Sequence, residues 1–539
     1  MSGIRFCSLL WVPFLLAVVA GCGDDDGKDS GCGDVAVADP GPAPADTLEA
    51  SDGTPELPGA DTAVPDAAAD PGAGGDPGSP VAANCAECHV GMAGKLAGSK
   101  HAILVDGCVT CHANGLEHQV DPANVRAKLD FSIELCGQCH YAQQETYLKD
   151  DGKKAGHFGG SVKTSKYDEI PHYQHLMGGH GFTKEYNEDR AHRYMLKDHI
   201  DIQRKQNTVC LQCKSTPVAY FWNEPRRGQP VVSKDMPWDA VVQKIRDEWG
   251  ATIDYGAGCD HCHDPHATAF RLVRKAQVAA ILERGTDPYT EALNKVPKSV
   301  TELEALMNER GENGELTPAA KRLAGTLTCA QCHVEYACGG GIDKEKGILR
   351  DDFPWRKLAD LEEYYRTKYD LIQDWKHAIT GLPGIKAQHP ETEFYWNSPH
   401  HLAGNACTDC HMAEENGQRS HWLTSPLKQP AVTCGRCHGA TDAKVTAVLG
   451  SQDATWATAQ DVETNLDEIL LFIEAEATTP TLPPEVVTEA GDHFMRGLLW
   501  WEFTMVSENS TGWHNQAEAA ANLAFALDEA LAARALLGL

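Results

Sequence analysis

The sequence predicts a mainly α-helical protein with little β structure and long helices near its C-terminal end. Segments beginning at residues 461, 483 and 515 carry apolar residues at three- and four-residue spacing, the period of an amphipathic helix. Pro483 and Pro484 stand before the second segment, as helix-entry prolines do. Few apolar residues alternate with polar ones, so we expect strands to be minor. Cysteine is the third observation, because 16 of the 20 cysteines among 539 residues form eight C-x-x-C pairs.

These pairs predict what fills the core. Seven of them are followed directly by histidine, and C-x-x-C-H is the attachment signature of c-type haem. Zinc sites and disulfides are the alternatives, but neither requires a histidine after each pair. We therefore expect eight covalently bound haem c groups and a haem-packed multihaem cytochrome c fold, with one haem at Cys210 and Cys213, which precede Lys214. The seven histidine motifs are Cys85, Cys88 and His89; Cys108, Cys111 and His112; Cys136, Cys139 and His140; Cys259, Cys262 and His263; Cys329, Cys332 and His333; Cys407, Cys410 and His411; and Cys434, Cys437 and His438.

Residues 1–22 have the features of a lipoprotein signal peptide. One arginine precedes an apolar run that is too short for a stable membrane span. The run ends in Val19, Ala20, Gly21 and Cys22, which resembles the bacterial lipobox. We expect a periplasmic lipoprotein anchored by lipid on Cys22 to the inner or outer membrane. Ordinary cleavage, with Cys22 as a bystander, is the alternative.

The composition then divides the chain further. Residues 23–80 hold 14 acidic residues, one lysine, nine prolines and no aromatic residue, so they are expected to form a disordered tether. Residues 81–165 are predicted to form an N-terminal three-haem domain. Residues 166–539 are predicted to form a catalytic five-haem domain with a C-terminal helical bundle. The formal net charge of −30 argues against a nucleic-acid partner.

From residue 190 onward, one C-x-x-C-K motif followed by four C-x-x-C-H motifs resembles the pentahaem ammonia-forming cytochrome c nitrite reductases. The segment around His192 is similar to one that carries a catalytic arginine, which implies this role for Arg204. The spacing from Arg204 to Lys214 is shorter than in that family, so Arg190 and Arg193 stay open as alternates. "CAQCHVEY" and "KAQHPE" resemble segments holding a catalytic tyrosine and histidine. Lys214, Tyr336 and His389 are therefore the other predicted catalytic residues.

The same resemblance implies further ligands. A calcium ion would be held by Glu335, by the carbonyl of Tyr336, by the backbone oxygen of Lys386 and by Gln388, which are oxygen ligands suited to a hard cation. The implied second haem ligands are His192, His400, His421 and His514. For the three N-terminal haems the candidates are His101, His118, His175, His180 and His266. Spacing does not decide among them; His101 and His118 enter the predicted site.

Three haems ahead of a five-haem core resemble the octahaem nitrite reductases. Those enzymes carry a tyrosine–cysteine thioether cross-link at the spacing of Tyr336 and Cys338, which implies a catalytic role for Cys338. A free thiol is the alternative.

The resemblance implies a six-electron reduction of nitrite to ammonium at the lysine-ligated haem, fed by seven bis-histidine haems. Side activities on hydroxylamine and sulfite are expected, with a quinol dehydrogenase or small cytochrome as redox donor and a homo-oligomeric assembly. The alternatives are a multihaem electron-transfer cytochrome, an octahaem reductase of tetrathionate or other sulfur oxyanions, and an octahaem enzyme that oxidises hydroxylamine. The last usually has histidine where this chain has Lys214.

Overall fold

The computed structural model describes residues 85–104, 106–149, 170–183, 192–201, 208–224, 231–249, 256–288, 296–343, 348–365, 375–508 and 510–539. The predicted signal peptide and tether lie outside these residues. So do the predicted domain boundary at residue 165 and two of the arginine candidates, Arg190 and Arg204. All described residues belong to one compact unit.

Most helices in the described ranges are short, and many begin or end at a cysteine motif. In chain order they are α1 Val90–Ala97, α2 Gly115–Val120, α3 Ile133–Gly137, α4 Tyr141–Tyr147, α5 Tyr173–Leu176, α6 Met195–Asp201, α7 Leu211–Lys214, α8 Thr216–Phe221, α9 Trp238–Asp247, α10 Lys275–Arg284, α11 Val300–Met307, α12 Pro318–Leu327, α13 Leu358–Tyr364, α14 Glu391–Tyr395, α15 Pro399–Leu402, α16 Cys407–His411, α17 Gly435–His438, α18 Asp442–Thr478, α19 Pro484–Trp501 and α20 Gln516–Leu537.

The strands of the described residues form four two-stranded antiparallel hairpins, which confirms the expectation of little β structure. Asn416 and Gly417, both with positive φ, make the turn between the last two strands, as Asn-Gly does in a tight hairpin. The strands are β1 His263–Asp264, β2 Ala269–Phe270, β3 Ala337–Asp343, β4 Ile348–Asp352, β5 Trp375–Lys376, β6 Pro383–Gly384, β7 Glu414–Glu415 and β8 Gln418–Arg419.

The three long helices α18, α19 and α20 pack together, as the apolar periodicity predicts. Their largest apolar cluster includes Val462, Leu466 and Ile469 of α18, which recur at three- and four-residue spacing and are fully buried. The Trp501 indole Nε1 donates to the Ala459 carbonyl at 3.0 Å, so the buried ring also has its polar partner. Gly497 lets the helices approach closely, since a Cβ there would lie 3.1 Å from the Ala526 carbonyl.

Local signals fix the ends of these helices. Pro484 occupies the first turn of α19, where its missing N–H costs nothing. The Asn515 side chain accepts from the Glu518 N–H at the start of α20, and Gly538 ends that helix with φ +75°. The α18 helix begins at Asp442, well before the periodic segment at residue 461 and directly after the last cysteine motif.

The N-terminal motifs lie against the later part of the chain. The Tyr147 hydroxyl donates to the Ala257 carbonyl at 2.7 Å, and the His421 N–H donates to the Thr146 hydroxyl at 3.0 Å. Lys95 forms an ion pair with Asp264 at 3.3 Å. Within the described ranges, no helix combines the length and apolar character that crossing a bilayer requires.

Candidate functional site: a chain of cysteine motifs along one cavity

Most cysteine motifs are folded into about one helical turn. In these the histidine N–H donates to the carbonyl of the first cysteine four residues earlier, for example from His89 to Cys85 at 2.9 Å and from His333 to Cys329 at 3.0 Å, whereas His263 begins strand β1. Residues at positions i, i+3 and i+4 of a helical turn lie on one face. Both sulfurs and the imidazole can therefore approach the same planar group. All sixteen motif cysteines are free of disulfides.

Six motif histidines face a second histidine at nearly constant separation. Because metal–imidazole bonds are roughly 2 Å long, two rings on opposite sides of one metal ion have centroids roughly 6 Å apart. The centroid pairs are His89 and His118 at 6.1 Å, His112 and His266 at 6.2 Å, His140 and His101 at 6.1 Å, His333 and His192 at 5.9 Å, His411 and His514 at 6.1 Å, and His438 and His400 at 6.2 Å.

The seventh motif histidine, His263, lies near His421. Burial first, and then the nearby His421, lower the pKa of His263 to about 4. The structure thus brings His101, His118, His192, His400, His421 and His514 to motif histidines. It also selects His266 from the open candidates. His175 instead contacts Asp467 at 2.6 Å, and the ring of His180 packs on Trp375.

The imidazoles are held with their Nδ1 atoms turned toward acceptors. Nδ1 lies 2.7 Å from the Val125 carbonyl at His118 and 2.9 Å from the Lys128 carbonyl at His112. A carbonyl only accepts, so Nδ1 must carry the proton and Nε2 keeps its lone pair for a metal. His514 Nδ1 similarly lies 2.5 Å from the Glu508 carboxylate. The donor set therefore fits haem iron with bis-histidine ligation.

One continuous cavity of 2580 Å³ runs along all eight motifs. Protein interiors are otherwise close-packed, so a cavity of this size lined by cysteine and histidine fits large planar groups. The described residues contain no cluster of three or more His, Cys, Asp or Glu that could hold a metal ion by itself.

Cysteines of several motifs touch, which shows which of these sites are adjacent in space. The contacting pairs are Cys85 with Cys108, Cys136 with Cys259, Cys213 with Cys332, and Cys329 with Cys407. The motif of Cys210, Cys213 and Lys214, called the lysine motif below, therefore adjoins the motif of His333. Groups attached at touching cysteines would be close enough to exchange electrons.

Lys214 ends α7 and lines the cavity together with Tyr336, Gln388 and His389. Burial, then His333, then Lys214 lower the pKa of His192 to about 3, which places Lys214 close to that histidine pair. The ring centroid of His389 lies 6.4 Å from that of His333. Lys214, Tyr336 and His389, three of the predicted catalytic residues, thus line the same cavity, and Lys214 and His389 both lie near the pair of His192 and His333.

Two catalytic predictions concern residues whose side chains the structure does not describe. Arg204 lies outside the described ranges. Cys338 has its backbone in β3, and the predicted cross-link to Tyr336 stays a prediction. Arg193, an alternate to Arg204, donates to the Leu148 carbonyl at 2.5 Å and packs on the Tyr194 ring.

The predicted calcium ligands lie together and are buried. The Glu335 carboxylate accepts from the Gln388 N–H at 2.6 Å, and the Gln388 side-chain amide donates to the Lys386 carbonyl at 3.0 Å. The Lys386 ammonium points elsewhere, to Glu502 and to the Ser507 hydroxyl. The predicted ligands supply one carboxylate, an amide oxygen and backbone carbonyls, which suit a hard cation, and the buried Glu393 carboxyl group accepts from the Glu335 N–H at 3.1 Å.

Some residues that support the site were not predicted from the sequence. Glu391 lies 3.4 Å from Nδ1 of His333, and Glu508 supports His514 in the same way. In the sequence, the only local indication of these two supporting carboxylates is that each acidic residue lies close to a predicted site histidine. Arg274, which touches Cys213, gives no sequence signal because it lies far from that motif in the chain.

The chain resembles known proteins over most of its length. The profile of the cytochrome c552 family matches residues 138–539, so the first two motifs precede the matched segment. The cytochrome c nitrite reductase subunit NrfA of Nitratidesulfovibrio vulgaris is 29% identical over 412 residues, 68% of this chain and 70% of that protein. A cytochrome c-552 of Haemophilus influenzae is 26% identical over 417 residues, covering 73% of this chain and 71% of that protein.

A solved structure agrees with the fold. It is the catalytic subunit (NrfA) of cytochrome c nitrite reductase from Desulfovibrio desulfuricans, whose description refers to two calcium sites. It superposes with a TM-score of 0.61 at 24% identity and covers 76% of this chain and 86% of that chain. The similarity supports the mainly helical multihaem cytochrome fold.

Proposed function

Because the chain belongs to the cytochrome c552 family, we propose that it is an octahaem nitrite reductase that forms ammonium. Family membership implies covalently bound haem c. The count of eight haems is part of the proposal and rests on the eight C-x-x-C pairs. The observation that carries the activity is the position of Lys214, which shares the cavity with Tyr336, Gln388 and His389, whereas each of the seven motif histidines has a second histidine beside it.

The lysine motif is the proposed reaction site for a reason of coordination. A haem with two histidine ligands is full and serves electron transfer. Haem held by Cys210 and Cys213 with Lys214 on one side would supply an open iron position for nitrite, together with electrons. The overall reaction consumes six electrons and eight protons per nitrite and yields ammonium and two waters.

The surrounding residues would bind the anion and supply protons. Arg204 and His389 would donate hydrogen bonds to the nitrite oxygens and offset their charge, since charge-assisted bonds are the strong ones. Histidine side chains can donate and accept protons near neutral pH, so His389 is the proposed proton donor, with Tyr336 as a second one. A cross-link from Cys338 would restrict the Tyr336 ring and tune its acidity.

Calcium is proposed to stiffen the loop that carries His389. Glu335, the Tyr336 carbonyl, the Lys386 carbonyl and Gln388 would bind the ion. The contact between Gln388 and Glu335 already joins this loop to the segment that follows His333. An ion there would hold His389 in register with the lysine motif and add positive field.

The resemblance also bears on where the protein is located, what donates its electrons and how it assembles. We place it in the periplasm, as the resemblance to nitrite reductases suggests, with lipid on Cys22 as anchor to the inner or outer membrane. Its electrons would come from a quinol dehydrogenase or a small cytochrome, and homo-oligomers are expected. Hydroxylamine and sulfite are proposed slower substrates.

The test is an assay of the purified haem-loaded protein with a reduced viologen dye and nitrite. We expect dye oxidation with one ammonium formed for each six electrons consumed. Turnover of tetrathionate without ammonium from nitrite would replace the proposal with a sulfur-oxyanion reductase. No turnover of either, with every haem six-coordinate, would make the protein an electron-transfer cytochrome.

A pair of variants separates the lysine site from the rest of the chain. His389→Asn should lower kcat by roughly 10²–10⁴, the usual contribution of a positioned acid–base group. His377→Gln, at a buried histidine outside the cavity, is the control and should keep wild-type turnover. Full activity of His389→Asn would remove that residue from the proposed mechanism.

A further inference from the structure

Arg274 is a fully buried cation beside the lysine motif. Its relative exposure is 0%, and it occupies the N-cap position of α10 without a capping hydrogen bond from its side chain. Removing a guanidinium from water costs several kcal/mol unless contacts compensate. A buried cation at this position therefore calls for a structural or functional explanation. Arg274 has no role in the family resemblance or in the proposed proton transfer.

Its contacts join two cysteine motifs. The Arg274 Nη1 donates to the Cys213 sulfur at 2.6 Å and to the Gln331 carbonyl at 3.3 Å. Gln331 lies between Cys329 and Cys332. A single nitrogen of Arg274, Nη1, thus contacts both the lysine motif and the motif of His333, which is the proposed route of electrons to it.

Hydrogen bonds also hold the backbone at Val273 and Arg274. The N–H groups of Val273 and Arg274 both donate to the Gln331 side-chain oxygen, at 2.6 and 3.3 Å. The guanidinium carbon lies 4.9 Å from the centroid of Phe353 and 5.6 Å from that of Tyr336. Arg274 is held on several sides, so its charge has a defined position.

We propose that Arg274 is a positioning residue that holds a fixed positive charge against Cys213 and raises the reduction potential of the haem attached there. This inference rests on the proposed function to the extent that it requires haem at the lysine motif. Reduction of iron adds one negative charge, which a buried cation stabilises more strongly than an exposed one. Hydrogen bonds to ligating groups and local charge are established ways of tuning such potentials.

The cysteine sulfur stays a suitable partner after haem attachment. A thioether sulfur is a weak acceptor, so the Arg274 N–H can still donate to it. Electrons that arrive through the motif of His333 would then be drawn toward the lysine motif and away from the bis-histidine sites.

The test is a redox titration of the haem-loaded protein without nitrite, in which the haem at Lys214 is followed by its distinct high-spin signal. In Arg274→Gln we expect the reduction equilibrium of this haem to shift by roughly tenfold toward the oxidised form, which is 59 mV for one electron. The bis-histidine haems should keep their potentials. Arg271→Gln is the matched control: Arg271 is paired with Asp260 near another motif and should leave the high-spin haem unchanged.

A second pair of variants covers loss of the fold. If Arg274→Gln does not load haem, Arg274→Met is used as the neutral variant instead. It replaces the buried charge with an apolar side chain of similar length. Arg274→Lys is measured in either case. Its compact ammonium loses the planar fork, so we expect a shift in the same direction but smaller than tenfold.

The results decide between a charge effect and a structural one. Unchanged potentials in the lysine variant and in the neutral variant that folds would overturn the inference. Equal shifts in lysine and neutral variants would also overturn it, since charge would not be the cause. Wild-type protein that shows the high-spin haem but makes no ammonium would instead refute the proposed function and leave this inference standing.

Discussion

His400 lies with its ring centroid 6.2 Å from that of His438, whereas the next residue, His401, packs 4.7 Å from the ring of Trp396. Both belong to the four-residue helix α15, where successive side chains leave in different directions. A step of one residue along the helix, about 100° of rotation, therefore separates a candidate metal ligand from a buried packing residue.

This difference gives a direct test of the histidine pairs. His400→Ala should keep its covalent haem through Cys434 and Cys437 but lose one axial ligand. A new high-spin ferric signal is expected in electron paramagnetic resonance, with the total haem content unchanged. His401→Ala is the control and should give no new signal. The same spectrum from both variants would contradict the assignment of His400.

Glu335 supplies the only carboxylate among the predicted calcium ligands. In wild-type protein we expect a chelator to lower the unfolding temperature, because a ligand at 100 times its Kd stabilises the fold by about 2.7 kcal/mol. Glu335→Gln should bind less calcium by elemental analysis and lose most of the chelator effect. Glu529→Gln, at a buried carboxylate of α20, should respond to the chelator as wild type does. Equal calcium content in all three proteins would place the ion elsewhere.

His377 is clamped as a neutral imidazole. Its Nε2 lies 3.0 Å from the Leu176 carbonyl, and its Nδ1 accepts from the N–H groups of Ile379 and Thr380 at 3.3 and 3.2 Å. Burial lowers its pKa to about 4, although the bond to Leu176 opposes the shift. The unfolded chain, with a histidine pKa of about 6.5, then binds more protons between these two values.

Stability should therefore fall as pH falls through this window. The loss attributable to His377 is on the order of 3 kcal/mol between pH 6.5 and pH 4. His377→Gln offers similar hydrogen bonds without a titrating group, so its free energy of unfolding should fall less over the same range. Urea denaturation of both proteins at the two pH values measures the difference. Parallel pH profiles would show that His377 titrates normally.

Leu466 and Leu471 offer a matched test of the C-terminal bundle. Both lie on α18, with relative exposures of 0% and 52%. Leu466→Ala should lower the free energy of unfolding by about 2–5 kcal/mol through lost burial and a residual cavity. Leu471→Ala should change it by less than about 1 kcal/mol. Similar losses in the two variants would mean that α18 is buried differently.

The sequence predicted best what depends on local patterns. The long C-terminal helices follow from their apolar period, and the helical class with minor strands is confirmed. The periodic pattern does not reach the start of α18 at Asp442, because the first half of the helix is polar and small, with only Val448, Gln452 and Ala459 buried. Periodicity cannot report a helix that has little to bury.

Partners distant in the chain could not be predicted in the same way. The pairing of His112 with His266 depends on how the N-terminal motifs lie against β1 and β2, which no spacing encodes. Arg274 is still harder to predict, because its role follows only from its contact with Cys213. Arg204 and Cys338 came from resemblance and stay predictions.

The histidine pairs have a consequence for how the protein matures. The pair of His112 with His266 interleaves along the chain with that of His192 with His333, and the pair of His400 with His438 interleaves with that of His411 with His514. On the proposed ligation, His411 lacks its partner until the chain has been delivered as far as residue 514. The last partner, His514, directly precedes α20, so on the same ligation the array of histidine pairs is complete only when the C-terminal segment is in place. A protein truncated before His514 would keep all eight cysteine motifs and still lack the second histidine of His411.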